Sequence, residues 1–171
     1  QLLSFAPTGA ACDIGCKRDA KGYKTTWIGY KHHIVTVDGD IPVAAVLSSA
    51  SLHDSQAAIP LMQVAAGRVE YLYDLQDAAY DAAAIRDFSR AQGHVPIIAP
   101  NARGSKAPPP PLEPARAARF KERSAAERVN SDLKENHGGN NVRVRGDVKV
   151  LAHLMLGVIV VTVKGLCRLL E

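Results

Sequence analysis

The chain has little of what would place it in several common classes. It carries three cysteines, Cys12, Cys16 and Cys167. An odd and small count of this kind builds no disulfide framework and points to a reducing, cytoplasmic setting. The first residues lack the basic stretch, apolar run and cleavage site of a signal peptide. The apolar run over 150–163 contains His153 and is shorter than the roughly 20 residues of a membrane helix. It is expected to be a buried core helix, and no membrane partner is expected. There is no Gly-rich phosphate loop, no nucleophile elbow and no Ser/His/Asp arrangement in a recognisable context, so no small-molecule substrate is expected either. Internal repeats are absent. The first residue is Gln instead of Met, so the chain is expected to be a processed or partial piece.

What is present describes a folded domain. The 171 residues suffice for one core, and 47% hydrophobic with 22% charged residues is a globular composition. The net charge of +4 is unevenly spread. Residues 101–150 hold eleven Lys/Arg against six Asp/Glu, while 51–100 hold three against six. An acidic middle beside a basic segment suits a metal centre next to a phosphate-binding surface, and equally suits two solvated faces.

Residues 1–26 read as irregular. Residues 27–37 and 41–48 are rich in β-formers and flank Asp38-Gly39-Asp40, a hairpin signal. A helix is expected over 53–66, with Ser51 as its N-cap and Gly67 as its stop. A β-prone segment over 69–76, a helix over 81–92 and a buried strand over 94–99 follow. Residues 100–114 contain four consecutive prolines and read as an extended loop. A long helix over 115–135 ends at His137-Gly138-Gly139, and an apolar helix over 150–170 closes the chain. Strands alternating with helices after a hairpin predict a mixed α/β sheet covered by helices.

On the 115–135 helix, Phe120, Arg123, Glu127 and Lys134 fall at rotations of about 0°, 300°, 340° and 320°, within about 60° of one another. A carboxylate flanked by cations can hold a metal ion with DNA phosphates on either side, or form ordinary ion pairs on a solvated face. Asp77 follows the strand over 69–76, where open α/β sheets place chemistry. Asp74, Asp77 and Asp81 are close together. Asp81 fits a helix N-cap best, which leaves Asp77 over. Cys12 and Cys16 with His32 and His33 have a loosely finger-like spacing, but adjacent histidines rarely serve one tetrahedral zinc, so free thiols and strand histidines are expected. His53-Asp54 reads as a helix start.

The stretch FKERSAAERVNSDLK resembles the Y-x2-R-x3-E-x6-K signature of DDE transposases from bacterial insertion sequences. GYKHHIVTVDGDIPVAAVLSSASLHDSQAAIPL and YDLQDAAYDAAAIRDFSRAQGHVPII also resemble that family's core. The resemblance implies a ribonuclease-H-like fold in which three carboxylates hold two Mg²⁺ (or Mn²⁺) ions, for phosphoryl transfer on DNA. Asp77 and Glu127 match the second and third catalytic and metal-binding carboxylates. Arg123 and Lys134 match positions that contact DNA. Phe120 stands where the family has Tyr and brings no hydroxyl.

The first Asp, in an Asp-Ser/Thr-Thr strand upstream of CDIGCKRDAKG, has no counterpart here. Asp13 and Asp19 lie in the region that normally follows it. The resemblance therefore implies a truncated catalytic domain lacking its first strand and inactive alone. The alternative is an inactive remnant that binds DNA or full-length transposase as an inhibitor. Transposon ends and target DNA are the implied partners, with self-association and a place at the bacterial nucleoid.

Overall fold

The computed structural model describes residues 12–18, 21–102 and 110–171. Its elements are strands β1 (Asp13–Arg18), β2 (Lys24–Val37) and β3 (Ile41–Ser49), helix α1 (Asp54–Ala66), strand β4 (Tyr73–Gln76), helix α2 (Ala83–Ala91), strand β5 (Val95–Ile98), and helices α3 (Pro114–Phe120), α4 (Ser124–Asn136) and α5 (Asp147–Leu169). Two 3₁₀ turns, Ala78–Tyr80 and Lys121–Arg123, complete the order.

β2 and β3 form the expected hairpin. The turn needs left-handed backbone, and Gly39 (φ 81°) and Asp40 (φ 60°) supply it. Asn and Asp tolerate this region better than most residues, so Asp40 is a low-cost choice. In the register, Val35 faces Ala44 and Ile34 faces Ala45, so neighbouring pairs look to opposite sides of the sheet. On one side α1 packs Ala57, Leu61 and Ala65 against Ala44 and Val46. On the other, Val129 and Leu133 of α4 meet Val158 and Val161 of α5, with Ile34 beneath them. α5 crosses the start of β3 so closely that a Cβ on Gly165 would stand 2.7 Å from Ile41 Cγ1.

β4 and β5 form a separate parallel pair, Tyr73↔Val95 through Gln76↔Ile98. The crossover between parallel strands is α2, which buries Ile85 beside Ile98, Ala58 and Met62. Among the described residues, the three-stranded sheet and the β4–β5 pair share no strand hydrogen bonds. The molecule is thus a mixed α/β fold in which helices bridge two small sheets.

Several expectations change. The expected irregular stretch 1–26 contains β1, which pairs with the first half of β2 from Asp13↔Gly29 to Arg18↔Lys24. Its charged residues hide a strand that is exposed on nearly every residue, so no alternation marks it; residues 1–11 and 19–20 lie outside those described. α1 is capped by His53, whose side chain accepts from the Ser55 N–H, and not by Ser51. The 115–135 helix is divided by a 3₁₀ turn at Lys121–Arg123. The 100–114 loop ends at Pro114, the first residue of α3, and its residues 103–109 lie outside those described.

α5 is not a buried core helix. It buries Val150, Gly157, Val158, Val161 and Gly165, while Leu156, Ile159 and Leu169 are 65%, 55% and 63% exposed. By length and composition alone α5 could cross a membrane, although one of its sides packs on β3 and α4.

Candidate functional site

The gap between the two sheets is a cleft of about 1810 Å³, lined by β2 on one side, β4 on another and α4 across it. Asp77 and Glu127 both line this cleft, as do Arg123 and Lys134.

Three aspartates in eight residues take three different roles. Asp74 in β4 is buried. It accepts a 2.6 Å hydrogen bond from Ser89 Oγ, and His94 Nδ1 lies 3.3 Å from the same oxygen. It also faces Tyr71, whose phenol is pushed up by burial and then by the Asp74 charge. Asp81 does not cap α2, whose N-cap is Ala82 without a side-chain bond. It pairs with Arg86 at 2.7 Å and accepts from Asn101 N–H at 2.9 Å. Asp77 is exposed and just beyond the end of β4. Its Oδ1 accepts from Ala79 N–H at 2.9 Å, capping the 3₁₀ turn. That bond fixes the carboxylate at the cleft wall and engages one of its two oxygens.

Glu127 stands in the first turn of α4. Its Oε1 accepts from Arg123 Nη2 at 2.7 Å, with Glu127 62% and Arg123 29% exposed. The guanidinium lies 5.5 Å from the centre of the Phe120 ring, a cation–π distance. Phe120 itself does not line the cleft. The single stripe expected of Phe120, Arg123, Glu127 and Lys134 assumed about 100° per residue. The 3₁₀ turn advances about 120° per residue and so brings Phe120 directly in line with Arg123. The structure places it under Arg123 as a shelf.

Lys31, Tyr80 and Arg119 also line the cleft and were not read from the sequence, and Asp54 was read only as part of a helix start. Lys31 donates to Asp54 Oδ1 at 2.9 Å and to Leu52 O at 2.7 Å. Asp54 is another carboxylate of the cleft, already committed to a lysine. The Tyr80 hydroxyl is pushed up by burial, then by the charges of Asp54 and Asp77. Arg119 stacks 4.9 Å from the centre of the Tyr73 ring. The Lys31–Asp54, Tyr80–Asp54 and Arg119–Tyr73 interactions join residues more than twenty positions apart, and no local spacing signals them.

Cys12, Cys16 and Cys167 are free and exposed. His32 and His33 are neighbours in a strand, and the Nε2 of His33 meets Ser48 Oγ at 2.8 Å, so the strand-histidine reading holds. Among the described residues, no group of three or more His, Cys, Asp or Glu is placed to hold a metal ion. Asp77 and Glu127 are the right donors for a hard divalent cation, but two carboxylates fall short of the set that a two-metal site needs.

Comparison with curated proteins and with solved structures finds no match. The transposase DDE domain family matches residues 11–163, a span holding both sheets, Asp77, Glu127 and the basic residues around them. Members of this family generally use divalent metal ions. The chain belongs to the transposase DDE domain family.

Proposed function

We propose that this chain is the C-terminal part of a ribonuclease-H-like catalytic domain from a bacterial insertion-sequence transposase. Its role would be cleavage and joining of transposon-end DNA by metal-dependent phosphoryl transfer. The observation that carries this reading is the shared cleft: Asp77, anchored at the end of β4, and Glu127, on the first turn of α4, line one space together with Arg123 and Lys134. Bound Mg²⁺ or Mn²⁺ would supply activation of a water or a 3′-hydroxyl and neutralise the departing oxygen.

The chain's own residues do the rest. Asp77 and Glu127 furnish two anionic donors. Arg123 neutralises Glu127 until phosphate or metal takes its place, and Lys134 gives a point charge for a phosphate. The gap between β2 and β4 is where a further strand would pair with β4, whose one hydrogen-bonded neighbour among the described residues is β5. A strand seated there and bearing an Asp would supply the third carboxylate. Without it, the chain binds DNA and leaves it uncut. The alternative reading is an inactive remnant that binds DNA or the complete transposase as an inhibitor.

The test compares this chain with a version extended by an Asp-bearing strand, both assayed for Mn²⁺-dependent nicking of transposon-end DNA. The extended protein should nick, Glu127→Gln and Asp77→Asn should each lower the rate by at least about a thousandfold, and this chain alone should be inert. Efficient cutting by this chain alone overturns the need for a further carboxylate.

A further inference from the structure

β1 and the first half of β2 form a largely exposed ribbon whose residues 17–24 are as cationic as residues 116–123 beside the cleft. Residues 17–24, Lys-Arg-Asp-Ala-Lys-Gly-Tyr-Lys, contain four basic residues and one acidic. Lys17, Lys21 and Lys24 are exposed, and Tyr23 is 71% exposed. Among the described residues, β1 packs mainly on β2, whereas α1 and α4 pack on β2. Such a ribbon gains little from burial, and its concentrated charge costs it stability.

The ribbon also has a direction. Lys17 pairs with Thr25 in the register, and Gly15 with Trp27, so Lys17, Thr25 and Trp27 share a face. Lys17 and Trp27 line the cleft that holds Asp77 and Glu127, and so does Lys31 further along β2. From residue 25 to residue 31 a strand advances about 20 Å, the length of roughly six base-pair steps. A two-stranded ribbon is of a size to lie along a DNA groove.

We propose that the β1–β2 hairpin is a second, sequence-independent grip on the phosphate backbone of duplex DNA, continuous with the carboxylate cleft and separate from Arg123 and Lys134. This grip presupposes the DNA reading above. Lys17 on the cleft-side face and Lys24 on the opposite face of the ribbon contact phosphates on the DNA flanking the segment that enters the cleft, while Trp27 forms the wall between the two.

The experiment is fluorescence anisotropy of a labelled duplex with the full chain over a range of salt. Lys17→Ala with Lys24→Ala should lower the slope of log affinity against log salt by about two units. Lys17→Arg with Lys24→Arg should restore it, and circular dichroism should be unchanged because both side chains are exposed. Arg123→Ala with Lys134→Ala should lower the slope independently, so that the quadruple variant loses both increments. If only the Arg123/Lys134 pair alters the slope, the hairpin grip is wrong and the DNA reading stands. If the parent chain shows no salt-dependent binding, the DNA reading falls and the grip with it. Loss of binding to phosphatidylserine vesicles with DNA binding unchanged would assign the hairpin to another anionic surface and overturn the proposal.

Discussion

The two sheets of this molecule are built to different standards. β2 and β3 pair from Tyr30↔Ser49 to Val37↔Ile41 and are covered by α1 on one face and by α4 and α5 on the other. β4 and β5 pair over four residues, and α2 and α1 cover them from one side. Glu127 rides on the well-supported half through α4, and Asp77 on the lean half through β4. The difference teaches that the cleft is not a surface groove but a seam. One carboxylate is presented by each half, and their relative placement depends on helices crossing between the two.

The largest expected effect breaks the supported half. Leu133→Ala removes the side chain that joins α4, α5 and Ile34, and should cost about 4 kcal/mol in denaturant unfolding. Loss of protection in β2, β3 and α4 together is expected in hydrogen exchange, because they share that core. A loss confined to α4 would contradict the single-unit description.

A second expectation concerns acid. Burial, reinforced by the neighbouring His33, pushes His32 down from 6.5 to about 4, and burial depresses His33 as well. Above pH 6.5 both states are neutral at His32 and stability is complete. As pH falls toward about 4 the unfolded chain takes up the proton first, so stability is lost over that window. His32 alone accounts for roughly 3 kcal/mol of that loss. Its Nε2 has no hydrogen-bond partner among the described residues, so His32→Leu should keep the fold and flatten the profile. An unchanged profile in the variant would place the acid sensitivity elsewhere.

Much of this architecture was legible in the residues, and the misses have physical causes. The β2–β3 hairpin announced itself because Asp38-Gly39-Asp40 is local turn chemistry. The α2 and β5 segments were legible because their apolar period and the stop at Gly93 are local too. β1 was hidden because a ribbon exposed on both faces needs no alternation. The three aspartates could not be sorted from sequence. What separates them is Ser89 and His94 beside Asp74, and Arg86 and Asn101 beside Asp81, partners that only folding brings near. Asp77 was singled out by elimination on the ground that Asp81 capped the helix. That ground was wrong, and Asp77 itself caps the 3₁₀ turn. The 115–135 helix was read as unbroken because the 3₁₀ turn at Lys121–Arg123 keeps Phe120 in phase with Arg123 and so leaves no break in the stripe. α5 read as core from its composition, but what it fully buries is a stripe of glycines and valines.

A smaller effect sharpens the contrast from the lean side. Asp74→Asn keeps the shape of the side chain but weakens its bonds to Ser89 and His94, and should cost about 2 kcal/mol. Faster exchange should appear in β4 and β5, with β2 and β3 unaffected. Equal loss in both sheets would show that the seam is mechanically tighter than its hydrogen bonding indicates.

The central claim is that Asp77 and Glu127 serve one cation site across the seam. Line broadening of backbone amide signals by paramagnetic Mn²⁺ tests it directly. Signals of Ala78 and Ala79 should vanish over the same range of Mn²⁺ as those of Ala126 and Arg128, and Asp77→Asn or Glu127→Gln should each restore both groups. Broadening of one group without the other, or a variant that restores only its own neighbours, would contradict the account.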